Sequence, residues 1–206
     1  MGEAVQIKAQ RTDVIPKDTI DHFKTVPIAH STLQDPEFKC LYASRTVTDG
    51  GKGHTLMGKT WATETTIPHL LSLYRRDPSS TLDSPNVEIR RFYTLGIDLS
   101  AHPNLLHGGV ISTILDSTLG SAVGIAMKTE KMKSMYTVQL NVKYEKPVQI
   151  PGTICSKAWV RNIDVSGKNY KVWAEGRIES LGKDGEVVIH AKAEGIWVGK
   201  KVEGRL

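Results

Sequence analysis

The spacing of apolar and polar residues divides the chain into an irregular first part and an orderly second part. Up to about residue 84, prolines interrupt the sequence repeatedly. Two short helices are predicted there, one capped by Asp18 and running to Lys24, the other over residues 69–74. The polar, turn-forming run at residues 77–85 predicts a linker. We therefore expect an N-terminal extension with short helices at 1–84, a main domain at 85–200 and a C-terminal tail at 201–206.

The pattern becomes regular after the predicted linker. A strand is predicted over residues 86–95, and the nearly uniform apolar run at 108–127 favours a buried helix because of its length and its Leu, Ala and Met content. The next segment alternates with a period of two, which predicts a strand with one buried face. That face comprises Tyr136, Val138, Leu140, Val142 and Tyr144, with Thr137 on the polar side.

Three further strands are predicted at residues 154–164, 170–181 and 187–198, separated by glycine-containing turns. The order is then one strand, one helix and four strands in a meander. This order predicts an α+β fold in which an antiparallel sheet holds one helix against one face.

A single carboxylate, Asp116, interrupts the apolar run of the predicted helix. No Lys, Arg or Glu occurs between Gly108 and Met127, so the helix has no ordinary solvated face to which Asp116 could belong. Burial of an uncompensated charge in a protein costs free energy on the order of several kcal/mol. Asp116 is therefore predicted to be paired, neutralised or functional, and we interpret it as functional.

The helix is preceded by His107, Gly108 and Gly109. Two glycines at a helix start leave backbone N–H groups unhindered, at the end of the helix where the dipole favours negative charge. Such an end is suited to hold a developing oxyanion. Asp116 follows Gly108 by eight residues, or about 12 Å of helix rise. The two groups therefore meet at one carbonyl only if a second chain presents its own carboxylate.

These residues resemble a known family. His-Gly-Gly, the Asp nine residues after the His, and the strand segment from Thr137 to Val148 are similar to the hot-dog-fold acyl-CoA thioesterases of the phenylacetate-pathway-related (PaaI-like) superfamily, and the N-terminal portion resembles fungal members. The resemblance covers residues 87–198. It implies a hot-dog fold, an antiparallel sheet wrapped around one central helix, and homodimers or homotetramers with active sites between two chains.

The resemblance also implies roles for individual residues. Asp116 matches the general base or nucleophile, Gly108 the donor whose N–H polarises the thioester carbonyl, His107 the residue that shapes this turn, and Thr137 a hydroxyl that positions water or the carboxylate. Substrate contacts are implied for a second group of residues: Gly109, His102, Asn104, Asn141 and Lys146. Position 101 is Ala where some members have Asn, so His102 and Asn104 are the nearby substitutes.

The implied reaction is hydrolysis of an acyl-CoA, or of an acyl-carrier thioester, without a cofactor. Two alternatives remain open: a protein that binds acyl thioesters without hydrolysing them, and a hot-dog dehydratase or hydratase, although His102-Pro103-Asn104 lacks the motif of that class. Lys143, Lys146 and Arg161 are candidates for nucleotide phosphates or, alternatively, solvated strand-edge charges.

Composition narrows the choice of partner and compartment. The net charge of +5 suits an anionic ligand, but the basic residues are scattered and form no block typical of nucleic-acid binding. The seven histidines show no paired spacing typical of metal ligands, so we predict no metal site. We also predict no membrane span, because no stretch approaches about 18 apolar residues. No targeting signal is evident, and the expected location is the cytoplasm, with mitochondria not excluded.

Overall fold

The computed structural model describes residues 16–41, 45–128, 130 and 132–201. The helices are α1 (Lys17–Lys24), α2 (Pro27–Leu33) and α3 (Gly108–Ala126). The strands are β1 (Lys39–Cys40), β2 (Leu70–Arg76), β3 (Val87–Leu95), β4 (Ser100–His102), β5 (Leu105–Leu106), β6 (Met132–Tyr144), β7 (Gly152–Asp164), β8 (Asn169–Leu181) and β9 (Val187–Lys201).

Seven strands form one antiparallel sheet in the order β1-β2-β3-β7-β8-β9-β6, and β4 pairs with β5 in a separate small hairpin. Helix α3 lies on one face of the large sheet and contacts β3, β7, β8, β9 and β6. The predicted α+β class is confirmed, as is the central helix against an antiparallel sheet.

The predicted meander of four strands is wrong for its first member. β7, β8 and β9 do follow one another as neighbours, but β6 pairs with β9 at the far edge, and β7 pairs with β3 instead. The chain between β6 and β7 buries Val148 and Ile150 as it crosses. In this arrangement β3 and β6 are separated by three strands in the sheet, and both contact α3.

Residues 70–76 form a strand and not the predicted helix. Leu70 faces α3, whereas Leu71 and Leu73 face the other side of the sheet, and all three are buried. A strand that is covered on both faces is apolar at every position, so its periodicity does not distinguish it from a buried helix. Residues 77–85, predicted as a linker, connect β2 to β3 within one hairpin. The segment before residue 85 therefore supplies two strands of the main sheet.

Each face of the sheet has its own apolar core. On one face, Ile114, Leu115 and Leu119 of α3 are fully buried against the strands. On the opposite face, α1 and α2 cover β2, β3 and β7, with Phe23 fully buried against Phe92. Helix α1 is confirmed, but Pro16 and not Asp18 occupies its N-cap. The helices of the N-terminal segment therefore cover the back of the sheet.

By length and mean hydropathy alone, α3 would qualify as a membrane span, contrary to the sequence-based expectation that no stretch does. It has 19 residues with a mean hydropathy of 1.4, and half of that stretch is buried inside this fold. These properties are those of a helix enclosed by a sheet, because such a helix needs apolar residues on most of its circumference.

Candidate functional site

The start of α3 is fixed by the His-Gly-Gly segment. His107 is the N-cap residue, and its Nδ1 accepts a hydrogen bond from the backbone N–H of Gly109 at 2.9 Å. This bond satisfies one of the donors that a helix start leaves without an intrahelical partner. The imidazole of His107 therefore shapes the turn on which Gly108 and Gly109 lie, and it is committed to the backbone.

Tyr144, at the end of β6, lies beside the same helix start. Its hydroxyl donates to the backbone carbonyl of Gly108 at 3.1 Å and lies 2.6 Å from Ser112 Oγ. A Cβ on Gly108 would stand 3.6 Å from the Tyr144 ring, an ordinary contact distance. Space within this chain therefore does not require glycine at 108. Sequence reasoning missed both Tyr144 and Ser112 as neighbours of the helix start.

Asp116 lies half-buried in the middle of α3, and its carboxylate is held from β6. The Thr137 hydroxyl donates to Asp116 Oδ1 at 2.8 Å. The structure therefore brings together the candidate catalytic carboxylate and the hydroxyl that the family resemblance assigned to position it. A hydrogen bond from a hydroxyl to a carboxylate fixes the orientation of the carboxylate as well as its position.

A β-bulge in β6 explains how Thr137 reaches Asp116. Thr137 pairs with Trp197 but Gln139 pairs with Ile196, so Val138 is an extra residue in the ladder. Directly opposed residues share a face of the sheet, and Trp197 faces α3 as part of its core. Thr137 therefore faces α3, and the prediction that it lies on the polar side is wrong. An extra residue shifts the period-two pattern by one position, which alternation in the sequence does not reveal.

The predicted buried face of β6 is largely uncovered. Tyr136 is 67% exposed, Val138 59% and Tyr144 53%, while Leu140 and Val142 are half-buried. β6 is an edge strand, and its second side has no partner within the described residues. The half-buried side of α3 next to it also contains small residues: Thr113, Ser117, Gly120 and Ser121. Because of the bulge, Tyr136 lies on the face opposite α3, whereas Leu140 and Val142 face α3, so Asp116 is next to a partly apolar strand whose outer edge is open.

Asp116 and the start of α3 do not meet within one chain. Both belong to the same helix, with Gly108 at its first position, so about 12 Å of helix rise separates them. The arrangement therefore consists of two half-sites: a carboxylate held by a hydroxyl, and a helix start with backbone donors.

The other predicted substrate contacts are more scattered. His102 is exposed in β4, and Asn104 occupies the turn before β5 with a φ of 61°, where its carbonyl accepts from the Ile150 N–H. Lys146 is exposed just after β6. Asn141 pairs with Glu194 on the face of the sheet opposite α3. The structure does not bring Asn141 to the side of the sheet that contains Asp116.

Two of the candidate phosphate ligands are already in ion pairs. Lys143 Nζ lies 3.0 Å from Glu145 Oε1, and Arg161 pairs with Glu175. Arg161 and Asn141 line a groove of about 280 Å³ on the outer face of β6–β9, together with Trp173. Within the described residues, no three His, Cys, Asp or Glu side chains are grouped so as to hold a metal ion.

The segment that contains this site is similar to a known protein family. Residues 103–166, which span the helix start, Asp116 and Thr137, match the family model of the thioesterase superfamily. The chain is 34% identical over 105 residues to an uncharacterised mitochondrial protein of Candida albicans; the match covers 51% of this chain and 44% of that protein. The chain thus spans less than half the length of that relative.

A second relative is aligned over more of the chain. Verlamelin biosynthesis protein B of Lecanicillium is 25% identical over 182 residues, covering 74% of this chain and 78% of that protein. Among solved structures, zebrafish thioesterase superfamily member 2 is 14% identical with a TM-score of 0.48, covering 75% of this chain and 91% of that one. The segment that contains both half-sites therefore matches the thioesterase superfamily model, and the antiparallel sheet around one central helix is the arrangement predicted for the hot-dog fold.

Proposed function

We propose that this protein hydrolyses acyl-CoA, or a related acyl thioester, to the free acid and the thiol. The observation that supports this proposal best is the Asp116–Thr137 hydrogen bond on the open side of α3. A carboxylate of fixed orientation beside an apolar surface is suited to act on a carbonyl whose acyl chain lies along that surface.

We further propose that the active unit is a homodimer. A second copy of the chain would cover the exposed apolar side chains of β6, Tyr136 and Val138 among them. It would also place the Asp116 of one protomer beside the helix start of the other, which removes the separation of about 12 Å within one chain. A tetramer built from two such dimers is compatible with the same site.

In the proposed reaction, the N–H of Gly108 donates to the thioester carbonyl oxygen and stabilises the negative charge that develops there. Asp116 of the other protomer takes a proton from water as the water oxygen attacks the carbonyl carbon, or the carboxylate attacks that carbon itself. In both routes the C–S bond breaks, the thiolate gains a proton and the acid is released. The second route passes through an anhydride that water then cleaves.

Thiol release from a panel of acyl-CoAs, measured for the wild type and for Asp116→Asn, tests the proposal. We expect a loss of about 10²-fold or more in kcat for the variant, the range for removal of a general base. Asp184→Asn, in the exposed β8–β9 turn, is the matched control and should retain full activity.

Binding separates the hydrolase from a protein that only binds thioesters. Asp116→Asn should still bind acyl-CoA, as measured by calorimetry, because the variant keeps the shape of the site. A wild-type protein that binds acyl-CoA without releasing thiol would contradict hydrolysis.

We propose the cytoplasm as the compartment, with mitochondria as the alternative because the Candida relative is named as a mitochondrial protein. Fluorescence microscopy of the tagged full chain distinguishes the two.

A further inference from the structure

A buried arginine lies under α3 and contacts Ser117, the residue that follows the candidate catalytic carboxylate in sequence. Arg91 of β3 is 1% exposed. Its Nε donates to Ser72 Oγ at 2.9 Å, its Nη1 to Ser117 Oγ at 2.7 Å and its Nη2 to Ser121 Oγ. Ser72 is on β2, while Ser117 and Ser121 are on α3. The guanidinium therefore joins two strands to the helix through three hydroxyls.

This cation has no carboxylate partner in the described part of the chain. None of the ion pairs there includes Arg91. By contrast, another arginine on each of β2, β3, β7 and β8 pairs with a glutamate. Hydroxyl groups satisfy donors but supply no negative charge, so the desolvation cost of the guanidinium remains largely uncompensated. An anion from outside the chain would compensate it.

A second polar group in the same place also lacks a partner. Ser156 of β7 pairs directly with Arg91 in the sheet, and Ser156 is 0% exposed. Its neighbours at alternate positions, Ile154 and Ala158, belong to the core that faces α3, so Ser156 faces α3 as well. Its hydroxyl has no hydrogen-bond partner. A buried hydroxyl without a partner is uncommon in proteins and indicates a polar site that is not filled by the chain itself.

The Arg91 cluster, defined as Arg91, Ser72, Ser117, Ser121 and Ser156, is adjacent to the candidate active site along α3. Ser117 follows Asp116 directly, and both Ser117 and Ser121 are half-buried on α3. Ser121 is five residues beyond Asp116, about 7.5 Å along the helix axis. A group that extends from a carbonyl at Asp116 along α3 therefore reaches Ser117 and Ser121 within a short acyl chain.

We propose that the Arg91 cluster binds the distal carboxylate of a dicarboxylic acyl thioester, and so selects an acidic acyl group over an alkyl one. This inference rests on the proposed thioester hydrolysis. Guanidinium and hydroxyl groups together are the donors that bind carboxylates in proteins. The Ser117 hydroxyl accepts a hydrogen bond from Arg91. This bond polarises the O–H of Ser117, which donates to the acyl carboxylate. The carboxylate in turn supplies the charge that Arg91 lacks.

Glutaryl-CoA and pentanoyl-CoA are the matched probes, because they differ by a carboxylate in place of a methyl group at the end of the same acyl chain. We expect the kcat/KM of the wild type for glutaryl-CoA to exceed that for pentanoyl-CoA by about tenfold or more, as for a hydrogen bond to a charged group. In Ser117→Ala and in Arg91→Met this ratio should fall close to one. Met is chosen because a buried ion replaced by an apolar residue of similar volume is often tolerated.

Thr113→Ala is the control for the helix. Its hydroxyl is on α3 and donates to the Gly109 carbonyl at 2.9 Å, so its removal should leave the ratio at the wild-type value. Thermal unfolding checks that each variant is folded, and Ser117→Ala provides the test if Arg91→Met does not fold.

Equal kcat/KM for the two thioesters in the wild type, or an unchanged ratio in Ser117→Ala, would overturn the inference while the proposed hydrolysis stands. Absence of thiol release from every thioester in the panel would overturn the proposed function and this inference with it. A ratio that also falls in Thr113→Ala would indicate a general disturbance of α3 and refute selection by the Arg91 cluster.

Discussion

The hydrogen bond between Thr137 and Asp116 allows the sharpest test of the site. Thr137→Val removes the hydroxyl but keeps a β-branched side chain of similar shape, which suits a strand. The carboxylate of Asp116 then loses the donor that lies 2.8 Å from its Oδ1. The substitution is designed to leave the other described contacts of both side chains unchanged.

The magnitude follows from the type of bond and from its surroundings. Hydrogen bonds to charged groups contribute about 1.5–3 kcal/mol. Asp116 is half-buried and Thr137 is exposed in the single chain, so the lower value applies. If the transition state loses about 1.5 kcal/mol of stabilisation because the reacting carboxylate is no longer oriented, kcat/KM decreases roughly tenfold.

The assay is thiol release from the best acyl-CoA of the panel, with folding checked by thermal unfolding. Thr137→Ser keeps the hydroxyl and should restore most of the activity. Thr153→Val is the matched control in β7, where the Thr153 hydroxyl lies 3.5 Å from Thr94 Oγ1, and should behave as the wild type. A Thr137→Val protein with full activity, alongside an inactive Asp116→Asn protein, would refute the argument that Thr137 orients the carboxylate.

A double-mutant cycle makes the same test independent of general effects on the fold. If Thr137 acts through Asp116, Thr137→Val should cost little further activity in an Asp116→Asn background, since the oriented carboxylate is already absent. A full additional tenfold loss in the double variant would show that Thr137 affects catalysis by another route.

Three further predictions concern assembly and stability. Tyr136→Lys combined with Val138→Lys should convert the proposed dimer into monomers, because like charges then meet across the β6 edge. Sedimentation velocity measures this change, and a dimer that remains intact would mean that the interface lies elsewhere. Phe23→Ala should lower the free energy of unfolding by about 3 kcal/mol and Tm by roughly 6–12 °C, because the fully buried ring fills the core under α1. A decrease below about 1 kcal/mol, which is typical of an exposed site, would mean that α1 does not pack against the sheet. Burial lowers the pKa of His190 from its ordinary 6.5, so the unfolded chain binds a proton at a higher pH than the folded chain does, and the free energy of unfolding should fall as pH drops below about 6.5. His190→Gln should weaken this pH dependence, as measured by urea unfolding at several pH values. An equally strong pH dependence in the variant would exclude His190 as its source.

Several features of this protein follow from local sequence. The length and apolar content of residues 108–127 predict the helix that the structure has at Gly108–Ala126, and His107 with the two glycines predicts its start, because capping and burial depend on neighbours within a few positions. Asp116 could be singled out because no other charge occurs in that helix. The class α+β and the strands β3, β7, β8 and β9 were likewise predicted from periodicity.

Other features were decided by contacts between distant parts of the chain. The strand at 70–76 has an apolar pattern that also fits a helix, and only its place between two covered faces selects β structure. The position of β6 beside β9 depends on how the sheet encloses α3, which pairing of sequence neighbours does not predict.

The candidate site shows the same division. Asp116 and Gly108 were found from the sequence, because their types and spacing are unusual for a core helix. The contact of Thr137 with Asp116 requires a bulge at Val138, and the burial of Arg91 among serines requires three strands and a helix to meet. Sequence determines which groups can ionise, donate or accept; only the tertiary structure decides which of them share a low-dielectric space, because register and packing are properties of the whole sheet.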